Sequence, residues 1–200
     1  MDFMMSNDLD GFLIPILENM VKEDQPEIWK NSKYLQQRMI QIDKRGGIGE
    51  RFFAEVLFRL YPRRIEYKDG DQGDWDLKIN KIKFEIKTAT LGKNGKKFQN
   101  EGLKKDGDYD GILFLGIGPN NLYVKFIKKN DINFDEQILI VNDQKIKLHH
   151  RAKDNDANKK ATGAGYKLDF NINQMLEVKT LDDIKSEFEK NFNFLLNNHK

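Results

Sequence analysis

From Trp75 to Ile86 the apolar residues fall on every second position on either side of Asn80-Lys81, where the alternation turns back on itself. Period-two alternation marks a strand with one buried face, and a two-residue link between two such runs makes an antiparallel hairpin. With the turn at Asn80-Lys81, Ile79 faces Ile82, Leu77 faces Phe84 and Trp75 faces Ile86. Six apolar side chains then share one face. The opposite face is fixed by the same register: Lys78 against Lys83, Asp76 against Glu85, Asp74 against Lys87. A slip of one residue would send Asp76 to the apolar face, away from Glu85.

That register puts two carboxylates together. Directly opposed residues have Cβ atoms about 4.5–5.5 Å apart, and like charges so placed destabilise a sheet. A hard divalent cation held between Asp76 and Glu85 would turn the repulsion into binding. Lys87 emerges on the same face. Its ammonium can stabilise charge developing on a phosphate or position an attacking water, or it can form a plain ion pair with Asp74 or Glu85.

Around this hairpin the chain reads as helices, then strands, then a helix. Residues 9–22 show helical spacing interrupted by Pro15, and Pro26 opens a second helical pattern reaching Ile42. After Gly46-Gly47, Ile48, Phe52, Phe53, Val56, Leu57 and Leu60 form one helical stripe ending at Pro62. Strands are expected at 65–67, 75–79, 81–89, 111–117, 121–127 and 166–172, with a hairpin turn at Gly118-Pro119-Asn120. The Gly- and Lys-rich stretch 91–110 is expected to be mostly loop, and His149-His150 to open a basic loop. Thr180 with Asp183 resembles a capping box, starting a helix with Leu181, Ile184, Phe188, Phe192 and Leu195 inward. This order implies an α/β (α+β) domain with a central mixed sheet.

Composition narrows the function. The chain of 200 residues contains no cysteine, which removes disulfides and thiolate chemistry and fits an intracellular protein. No run of about 18 apolar residues occurs, so no membrane span is expected. The first residues have no basic region ahead of their apolar stretch, so no signal peptide is expected. The net charge is +2, yet lysines crowd 93–105, 125–129 and 145–160, which suits a polyanionic partner.

Asp76, then Glu85-Ile86-Lys87 on the next strand, with Glu50 on the preceding helix, resembles the PD-(D/E)XK nuclease superfamily. Within it the closest likeness is to type II restriction endonucleases. The motif covers roughly 46–90, and the 109–117 strand with the basic loop before a late strand extends the likeness to most of the chain. The motif proline is absent: Gly73-Asp74-Trp75 precedes Asp76. Asp74 and Asp76 are both open as the motif aspartate, and parity favours Asp76.

The resemblance implies a restriction-endonuclease-like central mixed β-sheet flanked by helices, in one nuclease domain over 1–200. Within it, 1–45 would be a helical part, 46–130 the catalytic core and 149–165 a mobile basic loop. It implies Mg²⁺ held by Asp76, Glu85 and the Ile86 carbonyl, with Lys87 catalytic. Glu50 would assist at a second metal or a metal-bound water; helical angles alone leave Glu55 equally placed. The implied activity is sequence-specific cleavage of double-stranded DNA to 5′-phosphate and 3′-hydroxyl ends. The implied setting is a homodimer in the bacterial cytoplasm, beside a companion DNA methyltransferase. A structure-selective nuclease and a non-catalytic DNA-binding module on the same fold are the alternatives.

Overall fold

The computed structural model describes residues 27–40, 44–62, 64–67, 75–141, 144–150 and 165–197. The helical pattern at 9–22, Asp74, and most of the basic loop lie outside the described residues. Among the described residues three α-helices, α1 (Gln36–Met39), α2 (Gly46–Leu60) and α3 (Leu181–Asn197), accompany eleven strands. The first sheet contains β1 (Ile65–Tyr67), β2 (Leu77–Ile79), β3 (Ile82–Thr90), β5 (Gly111–Ile117), β6 (Leu122–Lys128) and β11 (Leu176–Val178), in the order β1-β2-β3-β5-β6-β11. It is mixed: β3 and β5 run parallel and the other neighbours antiparallel. The second sheet, in the order β4-β10-β9-β8-β7, is built from β4 (Lys97–Leu103), β7 (Ile132–Asn133), β8 (Ile138–Val141), β9 (Gln144–His150) and β10 (Tyr166–Asn171).

The two sheets and the helices form three layers. Ile82, Phe84 and Ile86 point from β3 toward the helices, where Phe84 packs on Phe188 and Phe192 of α3 with ring centroids 5.6 and 5.0 Å apart. Phe53 of α2 meets Phe126 of β6 at 5.6 Å, and Phe126 meets Phe188 at 5.8 Å. Each such buried ring stabilises the fold by about 1.5–3 kcal/mol relative to exposure. On the opposite face, Phe114 of β5 stacks edge-on to Phe170 of β10 at 4.9 Å, so the second sheet covers that side. The expected mixed sheet is present. Its expected helical flanks are not symmetrical, because helices cover one face and a sheet the other.

Several sequence expectations are corrected. The stretch 91–110 is not mainly loop: β4 occupies its middle, with Phe98, Asn100 and Leu103 buried. The link from β3 to its parallel neighbour β5 therefore passes through a strand of the second layer. His149 and His150 belong to β9 rather than a loop, and β7, β8 and β9 arise from 132–150, where the sequence pattern suggests no strand. The helix expected from Pro26 shortens to a 3₁₀ turn at Glu27–Trp29 and the single turn of α1, with Trp29 fully buried. The Thr180 capping box is formed: Asp183 N–H donates to Thr180 Oγ1 at 3.2 Å, and Thr180 N–H to Asp183 Oδ2 at 2.8 Å. Leu181, expected inward, is exposed because it occupies the first helical position beyond that cap. Among the described residues no helix is long and apolar enough to cross a membrane.

Helix α2 lies close on β3 because Gly49 has no side chain. A Cβ there would stand 1.9 Å from Thr88 Oγ1 and 3.3 Å from Ile86 Cγ2. Gly49→Ala should therefore destabilise the fold by about 1–3 kcal/mol, as overpacking does. Thr88→Ala in the same chain should recover part of the loss, because the two sites share the clash. Denaturant unfolding of the single and double variants measures both, and an unchanged midpoint for Gly49→Ala would contradict this packing.

Candidate functional site

The hairpin forms in the expected register: Leu77↔Phe84, Lys78↔Lys83 and Ile79↔Ile82. Asn80 adopts a positive φ of 57°, which the two-residue turn requires and asparagine tolerates. The ladder then stops after Leu77↔Phe84, so the expected Asp76↔Glu85 and Trp75↔Ile86 pairs are not formed. Asp76 N–H donates to the Phe84 carbonyl at 2.9 Å, the residue already paired with Leu77, so the strand bends away before Trp75 can face Ile86. In its place the Asp76 side chain closes the edge, with Oδ2 accepting the Ile86 N–H at 2.6 Å. Asp76 is thus held beside Glu85 by the end of β2 rather than by a continuing ladder.

Glu85 and Lys87 point from β3 toward the second sheet. Lys87 Nζ lies 2.5 Å from Glu85 Oε1, and both side chains keep only a fifth or less of their surface exposed, 20% and 14%. The ion-pair alternative for Lys87 is therefore realised with Glu85. Burial raises the Glu85 pKa above the usual glutamate value, the Lys87 charge opposes that, and the Asp76 charge adds to it. In an extended strand the N–H and C=O of one residue point to the same side. The Ile86 carbonyl therefore faces the side of β3 where Asp76 is bound.

A rigid loop frames the other side. Asp110 Oδ2 accepts the Lys83 N–H at 2.8 Å, and the Asp110 N–H donates to the Lys83 carbonyl at 2.8 Å. Lys83 also pairs with Asp108. The Tyr109 hydroxyl donates to the Lys104 carbonyl at 2.6 Å, and Lys129 Nζ sits 4.7 Å from the Tyr109 ring centroid while donating to the Gly107 carbonyl. Burial, and secondarily the Glu85 charge, pushes the Tyr109 hydroxyl pKa up, so that group is neutral and donates.

Among the described residues Glu50 does not complete a cluster of three acids with the pair. It lies on α2, which packs on the Ile86 and Thr88 face, and its Oε1 would be 3.9 Å from a Cβ at Gly46 in the first turn of its own helix. Glu55 is exposed and borders a shallow groove with Ile48, Phe52 and Leu181. Among the described residues no three His, Cys, Asp or Glu side chains converge as a metal cage. The arrangement is therefore two carboxylates and a carbonyl. That donor set suits Mg²⁺, which keeps several of its waters and takes one or two protein carboxylates. Asp76 can accept an amide and bind a cation together, since an ionised carboxylate has about four lone-pair sites.

The sequence reading missed Tyr109 and Lys104. Tyr109 stood in the quoted 109–117 run, but only the loop contacts show that it braces the site.

The raised Glu85 pKa has a definite sign. Between the ordinary value and the raised one, the folded protein holds a proton that the unfolded chain has lost, so metal-free stability falls as pH rises through that window. Cation binding, which needs the ionised form, strengthens through the same window. Asp76→Asn should move the Glu85 titration to lower pH, and Lys87→Met should move it to higher pH. Carboxyl-carbon NMR titrations check both; an unmoved midpoint in the two variants would show that the three charges are not coupled.

No protein-family model matches the chain, and no curated protein sequence matches it. Function is therefore read from the side chains themselves.

Proposed function

We propose that the protein is a Mg²⁺-dependent, sequence-specific endonuclease of the type II restriction kind, hydrolysing phosphodiester bonds in double-stranded DNA. The observation that carries the proposal is the seating of Asp76 beside Glu85, with Lys87 on the Glu85 carboxylate. Nothing in the apolar core requires two acids there, and the burial of Glu85 makes its charge costly unless a cation balances it. Mg²⁺ bound by Asp76, Glu85 and the Ile86 carbonyl would supply Lewis acidity and an activated water. When Glu85 holds the cation, the Lys87 ammonium is left beside the reacting phosphate, where it stabilises the charge that builds on phosphorus.

The surroundings support a polyanionic substrate. Lys87 and Lys104 both act on the Glu85 charge, and Gly165, where the chain leaves the basic segment 151–164, packs against Gly102 beside Lys87. The mixed sheet, with the acids on adjacent strands after α2, accords with a restriction-endonuclease-like core in which a second sheet takes the place of one helical flank. One such centre hydrolyses one strand, so cutting both strands of a duplex calls for a homodimer. A host would then need a companion methyltransferase to protect its own copies of the site. Asp76, Glu85 and Lys87 carry this reading; Glu50, on α2, would assist only at a second metal or a metal-bound water.

Incubation with supercoiled plasmid in Mg²⁺ should give discrete fragments, and EDTA should stop the reaction. Asp76→Asn and Glu85→Gln should each lower the cleavage rate by on the order of 10²–10³-fold or more while duplex binding persists. Preference for branched over linear duplex would shift the reading to a structure-selective nuclease. Undiminished cutting by either variant would remove the assigned centre.

A further inference from the structure

The second sheet has an outer face that the cleavage centre does not use. Leu139, Ile146, Leu148 and Leu168 are buried against the first sheet, so the residues alternating with them on β8, β9 and β10 point outward. The register sets Ile138 opposite Lys147, Ile140 opposite Lys145 and Lys167 opposite His149 on that face. Lys145, Lys147 and His149 are exposed, and Ile140 keeps 53% of its surface, so none of the described elements covers β8 and β9 there. Opposite charges facing each other across strands stabilise a sheet. Elsewhere this protein uses them: Lys78 has Glu66 across the strand at 2.9 Å, and Lys105 has Asp135 at 2.5 Å. Lys145 and Lys147 instead face isoleucines, and among the described residues no carboxylate pairs with either. The acids of this face lie on other strands. Asp169, on β10, is engaged by Lys167 at 3.6 Å, and Glu101 is on β4, two strands from β9.

We propose that the outer face of β8 and β9 is a second DNA-binding surface, separate from the cleavage centre, which holds the phosphate backbone through Lys145, Lys147 and His149. The proposal rests on the endonuclease reading for the identity of the polyanion. An extended strand advances about 3.4 Å per residue, so the row from Lys145 to His149 is roughly 14 Å long. One strand of B-DNA carries a phosphate about every 3.4 Å of axis, so that row faces several of them. A lysine ammonium is a point charge that suits phosphate oxygens, and phosphate contacts carry no sequence information. Glu85 and Lys87 lie on the other side of the second sheet, so this surface needs no Mg²⁺. Its use is delivery: DNA held by its backbone slides and hops until the cleavage centre meets its site.

The test is fluorescence anisotropy with a labelled duplex of arbitrary sequence in EDTA, over a series of salt concentrations. The wild type should bind at low salt and lose affinity steeply as salt rises. Lys145→Gln with Lys147→Gln should lower the low-salt affinity by about tenfold or more. The slope of log affinity against log salt should become shallower by about 1.8, two phosphate contacts at about 0.9 each. Lys145→Arg with Lys147→Arg should keep both quantities, because charge is what binds. Lys179→Gln with Lys185→Gln makes the same charge change at exposed positions on the α3 side of the molecule, and should leave the slope unchanged. In Mg²⁺, Lys145→Gln with Lys147→Gln should raise KM for plasmid cleavage and leave kcat as it is. An unchanged slope in that variant, or an equal loss in the α3-side pair, overturns the proposal and leaves the endonuclease reading standing. A wild type that binds no duplex in EDTA also overturns it, while cleavage in Mg²⁺ decides the endonuclease reading separately. Binding to phosphatidylserine vesicles in place of duplex would assign the face to a lipid surface instead.

Discussion

The hydrogen bond from the Ile86 amide to Asp76 Oδ2, 2.6 Å long, is the point on which the site depends. It ends β2, fixes how far the hairpin ladder runs, and ties an acid to the strand that carries Glu85. A charge-assisted bond of this kind is shorter and roughly twice as strong as a neutral one. It also tolerates the bend at Asp76, because the side chain supplies the acceptor that the backbone of Trp75 would have supplied. The apolar face of the hairpin and its acidic face are consequences of one register. Loss of the Leu77↔Phe84 pairing would undo both.

The neighbouring layers decide what that register does. Helices α2 and α3 bury Ile86 and Phe84 on one side, which leaves Glu85 and Lys87 no choice but the space between the sheets. There β4 limits the water around Glu85, and the carboxyl pKa rises. Lys87 offsets the buried charge without removing the acid–acid repulsion. The hydrogen bonds of Asp110 with Lys83 and of Tyr109 with Lys104 hold the loop beside it in place.

How much of this was legible in the sequence follows from how local each signal is. The hairpin was readable because alternation and a two-residue turn are both contained in fifteen residues, and Leu77↔Phe84 follows from them directly. The Thr180–Asp183 cap and the α2 stripe were readable for the same reason. The premature end of β2 was not, because a side chain replacing a backbone acceptor leaves no trace in an alternation pattern. β4 was hidden by composition: Lys97, Gln99, Glu101 and Gly102 are polar or flexible, and only Phe98, Asn100 and Leu103 face inward. With β4 unread, neither the second sheet nor the approach of Lys104 to Glu85 could be seen.

The central claim is that Asp76, Glu85 and the Ile86 carbonyl form one divalent-cation seat in the folded protein. Mn²⁺, a paramagnetic stand-in for Mg²⁺, tests it directly through the backbone amide NMR spectrum of the whole chain. Substoichiometric Mn²⁺ should broaden the amides of Asp76, Ile86 and Lys87 first and most, excess Mg²⁺ should reverse the broadening, and Glu85→Gln should abolish it. Broadening spread over the acidic surface, or centred on Glu50 and unaffected by Glu85→Gln, would contradict the account.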